Sequence, residues 1–254
     1  MTTLLAHQFW IQQGVSTEFL AKFWMAMWER KQDMKIVVFQ WLLIHRALPV
    51  GQWLQKSGGP STCVCCRLNA IETLKHCLWE CQAAQQVWKR VARIMAFMFR
   101  DGTFSWGMAV WATVSQPLCQ YEASSHELTI KIQGGKLVVE QGTRVEVPIM
   151  DKEMQGVWEL LCTTTMWYIW NVRCSKIFDN TKIYPIESVK NVWMQMVHRL
   201  KGQYDEIKGE TEVVMLKRLA FINYWKKGPF CIIQKGDLKW FFKAPSWLFP
   251  PPIT

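Results

Sequence analysis

Between Cys63 and Cys81 the chain reads CVCCRLNAIETLKHCLWEC, a stretch holding five of its nine cysteines and one of its five histidines. The pattern Cys63-x2-Cys66-x9-His76-x4-Cys81 has the chemistry of a metal chelate. Two residues between the first pair of cysteines let a tight turn direct both sulfurs at one ion. His76 and Cys81 lie just over one helical turn apart, so a short helix or turn presents them together. Three thiolates and one imidazole complete a tetrahedral shell with no open position, which marks a structural rather than a catalytic zinc. One Zn2+ per chain is the expectation. Using Cys65 instead of Cys66 leaves a single intervening residue and a poorer chelate, while Cys77 follows His76 directly and points elsewhere. The alternative is a cluster of buried free thiols.

The elements that must position this stretch are mainly helical. Thr2–Gln13, Thr17–Arg30 and Asp33–Leu48 carry apolar residues at helical spacing, the third stopping before Pro49, which cannot continue a helix. Asp33–Leu48 is apolar nearly all round and belongs in a core. A short piece, Val50–Lys56, leads into the Ser57-Gly-Gly-Pro-Ser-Thr62 loop. After the cysteines, Gln82–Phe99 is amphipathic, with Val87, Val91, Ile94 and Met98 on one face and Gln82, Gln86, Lys89, Arg93 and Arg100 opposite. Alternation in Leu128–Ile132, Leu137–Glu140 and Arg144–Val147, separated by glycine turns, predicts a small three-stranded antiparallel meander. Helices are expected again at Lys152–Phe178, Pro185–Tyr204 and Glu210–Lys226, and the tail Trp240–Thr254, with Pro250-Pro251-Pro252, is expected to be extended with its aromatics docked on the body. The fold expected is thus mainly α, a helical domain with an embedded Cys-Cys-His-Cys zinc site and a small β meander. It divides into 1–100 (zinc site 63–81), a linker and meander at 101–150, and a tryptophan-rich helical region with its tail at 151–254.

Composition narrows the partners. Half the residues are hydrophobic, sixteen are tryptophan, and the net charge is +10 with a pI near 9.2. A sizeable core is therefore available, and acidic partners such as nucleic acid are favoured. The tryptophans fall at helical spacing and read first as core, with base stacking or a partner surface as the other use. No apolar run reaches the roughly 20 residues that a bilayer requires, since Glu29-Arg30-Lys31-Gln32-Asp33 divides the longest pair. Met1-Thr-Thr-Leu-Leu lacks a basic n-region, so an intracellular, reducing location, nuclear or cytoplasmic, is expected and not secretion. His45 lies on the apolar helix and reads as a core histidine. Adjacent Asp205 and Glu206 point to different helix faces, so no acid–base pair is formed.

Several of these signals occur together. Phe39-x-Trp41, His45-Arg46-Ala47-Leu48-Pro49, Cys63-x2-Cys66, Glu72-Thr73-x2-His76-x4-Cys81 and Val87-Trp88 resemble the zinc-binding region that follows the polymerase in plant non-LTR, LINE-type retrotransposons. Trp167-x2-Trp170-Asn171-x-Arg173-x3-Ile177-Phe178 is similar to the segment after that module. The resemblance implies Cys63, Cys66, His76 and Cys81 as zinc ligands. The chain departs from that family in having no paired-aspartate motif for catalytic metal and no carboxylate set for a nuclease, so a detached C-terminal portion of such an element, without its polymerase and not an enzyme, is expected. RNA or DNA is the expected partner, met by Arg67, Lys75, Lys89, Arg93 and Arg100 around the finger. The alternative is a zinc-stapled scaffold whose aromatic surface serves a protein partner.

Overall fold

The structure is a computed structural model and describes residues 3–29, 33–66, 68–98, 102–111, 128–133, 136–141, 152–182, 185–209, 211–225, 229–234 and 237–249. It is mostly helical. Three helices open the chain: α1 (Thr3–Gln12), α2 (Thr17–Glu29) and α3 (Met34–Ile44). The Ser16 hydroxyl accepts from the Phe19 amide (3.1 Å) at the start of α2, and the Asp33 carboxylate accepts from the Lys35 amide (3.1 Å) at the start of α3. Each satisfies a donor that the helix itself leaves free. α3 is shorter than the expected Asp33–Leu48. It closes at Ile44 through two bonds, Arg46 N–H to Leu43 O (2.9 Å) and Ala47 N–H to Leu42 O (2.8 Å). This Schellman turn puts Arg46 at φ 53°, a left-handed position where glycine is usual and a side chain costs on the order of 1 kcal/mol.

A single turn, α4 (Gly51–Leu54), continues into a 3-10 turn at Gln55–Ser57. Gly51 is indispensable there, because a Cβ would sit 2.4 Å from the Ser61 carbonyl oxygen. The cysteine loop ends in a π-helical turn at His76–Glu80, and α5 (Gln82–Met98) follows. Then come β1 (Gly102–Phe104), α6 (Trp106–Trp111), β2 (Leu128–Gln133), β3 (Lys136–Gln141), α7 (Lys152–Phe178), α8 (Pro185–Glu206), α9 (Glu212–Trp225), β4 (Cys231–Gln234) and β5 (Asp237–Trp240).

Two small antiparallel sheets result. β2 and β3 pair as expected, with Ile130 opposite Val139, but the third strand described is β1, Phe104 pairing with Ile130. The expected strand at Arg144–Val147 lies outside the described residues. The β4–β5 hairpin lies between the last expected helix and the expected tail, in a stretch for which the sequence pattern predicts no element.

The main core is built by α5, α7 and α8, with the π-helical turn and the end of the chain packed onto it. It draws on all three sequence segments, from Phe39 to Leu248. On α5, Val87, Val91 and Ile94 are buried as the pattern requires, and Trp88 and Met95 join them. Along buried α7, the Thr163 and Thr165 hydroxyls donate to the carbonyls of Glu159 (2.7 Å) and Leu161 (2.6 Å), so neither is left unpaired. The tail is held by Leu248, fully buried, and by the Trp193 indole N–H donating to Phe241 O (2.6 Å).

A second cluster joins α1, α2, α3 and α6. The Trp111 ring meets Trp10, Phe19 and Phe23 edge-on at 4.8, 5.3 and 4.9 Å. Edge-to-face packing of this kind adds to the apolar burial.

Candidate metal centre

Cys63 and Cys66 sit in a loop closed by backbone pairing. Thr62 bridges Ile71, the Cys63 amide donates to Ala70 O (2.9 Å), and the Glu72 amide donates to Ser61 O (2.9 Å). Asn69 takes the left-handed turn position at φ 48°, which asparagine tolerates better than most residues. On the other side, the Thr73 hydroxyl accepts from the His76 amide (2.9 Å) and starts the turn. The π-helical geometry then has a direct use. In an α-helix, at about 100° per residue, His76 and Cys81 would stand roughly 140° apart around the axis. The wider turn joins them through the Cys81 amide to His76 O (2.7 Å), the i to i+5 bond, and brings both side chains to one side.

Trp88 secures this turn from α5. Its indole N–H donates to Leu78 O (2.7 Å), and the Gln85 side-chain Nε2 donates to Trp79 O.

The four donor atoms of Cys63, Cys66, His76 and Cys81 all lie within 4.8 Å of one another. Cys63 Sγ to Cys81 Sγ is 3.8 Å, and Cys66 Sγ to His76 Nε2 is 3.5 Å. A tetrahedral ion with Zn–S of about 2.3 Å and Zn–N of about 2.0 Å requires edges of roughly 3.8 and 3.5 Å. The residues fit zinc. Cys63, Cys81 and His76 are buried and Cys66 is half-buried, so the shell is closed to solvent on most sides.

Among the cysteines at the site, the electrostatics favour a thiolate at Cys63. Hydrogen bonds from Cys65, then from Cys81, hold the Cys63 thiol far below the usual range. The same bond to Cys63, and then burial, push Cys81 up, against which the Ala83 and Ala84 amides at the start of α5 favour its thiolate. His76 is raised chiefly by its bond to Cys63. Burial pushes the Cys77 thiol up, and Cys77 with Cys65 lines a small cavity behind the site, next to Arg173. Zinc bound here would supply folding free energy to a loop with little regular structure of its own.

The structure distributes the basic candidates unevenly. Lys75 is half-buried with Glu80 at 3.5 Å. Lys89 is exposed on α5. Arg93, one turn on, is half-buried and donates to Trp247 O (3.0 Å), so it also holds the tail. Arg67 and Arg100 lie outside the described residues.

One pairing escaped the sequence reading. Arg173 on α7 makes a two-pronged contact with Glu72, Nε to Oε1 at 3.1 Å and a terminal nitrogen to Oε2 at 2.7 Å. Both side chains are buried, and the pair is completed by Arg173 to Pro49 O (2.9 Å) and by the Gly51 amide to Glu72 (2.8 Å). Both oxygens of the carboxylate accept, Oε1 once and Oε2 twice, which makes a buried charge tolerable. Both residues belong to the motifs noted above, but 101 positions separate them and nothing local joins them.

Residues 6–88 match the family described as zinc-binding in reverse transcriptase. No curated protein and no solved structure matches the chain. The match covers α1 to the middle of α5 and contains all four donors of the cluster. Residues 6–88 are therefore a zinc-binding domain of the reverse-transcriptase type.

Proposed function

We propose that the chain is a nucleic-acid-binding module, stapled by one structural zinc ion, derived from the C-terminal region of a LINE-type retrotransposon reverse transcriptase and without catalysis of its own. The observation that carries this reading is the closed Cys3His cluster in a reverse-transcriptase-type domain, on a chain with a net charge of +10. Four protein donors fill a tetrahedral shell, so the ion serves structure rather than chemistry. Phosphate contacts dominate the affinity of such modules and make it salt-dependent. Lys89 is the exposed cation of α5 nearest the cluster in sequence, and Gln82 and Gln86 share its face. Binding to single- and double-stranded RNA and DNA, measured across salt, tests the reading: a steep log–log loss supports it, and a flat or absent response removes it. Primer-extension and nuclease assays with magnesium or manganese should be blank.

A second reading, the protein scaffold, is favoured by α9. That helix exposes Val213, Met215, Leu216 and Leu219, each by more than half of its surface. Among the described residues no helix is long and apolar enough to cross a membrane.

A further inference from the structure

Beside the zinc turn lies a cavity of about 360 Å³, at the small end of the range that holds compact ligands. α1, the start of α6, the closing turn of α3 and residues 73–75 surround it. Its walls include Phe9, Trp10, Trp106 and Trp111, and its cations are Arg46 and Lys75. Among the described residues no carboxylate lines it, though Glu80 stands 3.5 Å from Lys75, and exposed Gln13 and Gln52 supply amide donors and acceptors.

Arg46 is placed there against backbone preference, in the left-handed position where glycine would be relaxed. Its guanidinium lies 4.0 Å from the Phe9 ring centre, and among the described residues it faces no carboxylate. Burial alone lowers its pKa, as expected of a cation half-withdrawn from water with no counter-charge. A backbone outlier that positions an uncompensated charge in a cavity points to a ligand for that charge. Trp106 is half-buried and, among the described residues, has no ring stacked on it, whereas Trp10 and Trp111 are engaged with each other.

We propose that this cavity binds a nucleoside monophosphate unit, its base stacked on Trp106 and its phosphate at Arg46 and Lys75. Aromatic faces accept any base, arginine planes and cations accept the phosphate, and side-chain amides read base edges. The unit is supplied either by an unpaired nucleotide of a single strand or by a free nucleotide. The first source rests on the nucleic-acid reading above; the second does not.

Two substitutions test the cavity without attacking the fold. Arg46→Gly removes the guanidinium and relaxes the left-handed turn. Gly107→Leu plugs the cavity, since a Cβ at Gly107 meets only the Ser105 hydroxyl, at an ordinary 3.7 Å. Zinc content of both variants should stay at the wild-type value and neither melting temperature should fall below it, which certifies folding. Fluorescence anisotropy with a labelled single-stranded 12-mer should then show a loss of about tenfold in each variant, the size expected for one stacked base. A duplex of the same sequence should be unaffected, and the four common nucleoside monophosphates should compete on the wild type. If both variants bind the strand as the wild type does and monophosphates do not compete, the cavity assignment is overturned while the nucleic-acid reading stands. Monophosphate binding lost in both variants, with no strand binding by the wild type, keeps the cavity, identifies the free nucleotide as its ligand and removes the nucleic-acid reading. Binding of neither removes both.

Discussion

The zinc turn and the aromatic cluster around Trp111 lie on either side of one cavity and are held together by opposite means. In the cluster, α1, α2, α3 and α6 are regular helices whose apolar faces meet, and stability scales with area removed from water. Among its described residues, the stretch from Gly51 to Cys81 has only single turns and one isolated bridge. Its order rests on specific polar connections: the four donors, the Glu72–Arg173 pair and the indole of Trp88 on the turn. Apolar packing tolerates approximate shape and degrades by steps. A chelate or a buried ion pair fails as a unit once one member is gone.

Metal removal should expose that contrast most strongly. Structural zinc contributes on the order of 10 kcal/mol to modules of this kind at neutral pH. A chelator should therefore abolish protection of residues 51–81 in hydrogen exchange while amides of α2 stay protected. Cys66→Ser should lose zinc by mass spectrometry and Cys65→Ser should keep it. The reverse result would exchange the two ligands.

Breaking the buried pair comes next. Glu72→Ala leaves Arg173 charged, buried and alone, at a cost of about 3–5 kcal/mol in urea unfolding. Replacing both, Glu72→Met with Arg173→Met, should recover much of that loss. A double variant as unstable as the sum of the singles would show that the two residues act independently.

In the cluster, Trp111→Leu should cost about 3 kcal/mol, from lost area and the cavity left behind. Zinc content should not change, because the cluster holds no ligand. A drop in zinc would mean that the two regions are one cooperative unit.

The smallest effect is in pH. His45 is buried against Trp41, its Nδ1 at 2.9 Å from Trp41 O and its Nε2 without a partner among the described residues. Burial holds its pKa below the usual 6.5. The unfolded chain therefore binds the proton more readily, so this stability is complete above about pH 6.5 and is lost as pH falls below it. The stability gap between wild type and His45→Phe should shift in the variant's favour between pH 7.5 and 5.5. A gap independent of pH would mean that His45 is not buried neutral.

The amphipathic face of α5 and the ligand pairs Cys63–Cys66 and His76–Cys81 are legible in sequence because each is a short-range pattern. Val87, Val91 and Ile94 repeat with the helix, and a chelate's reach limits the spacing of its ligands. The end of α3 is not legible, because Leu48 continues the apolar pattern after the chain has left the helix. β1 has three residues, too few to show alternation, and is fixed by pairing with Ile130, Lys131 and Ile132 of β2. The hairpin at Cys231–Trp240 pairs strands of four residues. Arg173 and Glu72 carry no mutual signal at a separation of 101 residues. The four donors come together in space, whereas Arg93 turns to the tail, a partner 154 positions away.

The Glu72–Arg173 pair also bears on how the molecule can be cut. The family match stops at Trp88, midway along α5, yet Val91, Ile94 and Met95 beyond it are almost wholly enclosed by the main core. A peptide comprising residues 6–88 would keep every zinc donor and lose the guanidinium that neutralises its innermost carboxylate. It would also present the faces of α3 and the π-helical turn that rest on α7 directly to water. The edge of the sequence family is thus no edge of the folding unit. A minimal soluble piece must run at least through α8, and domain transplants cut at the family boundary carry an orphaned charge with them.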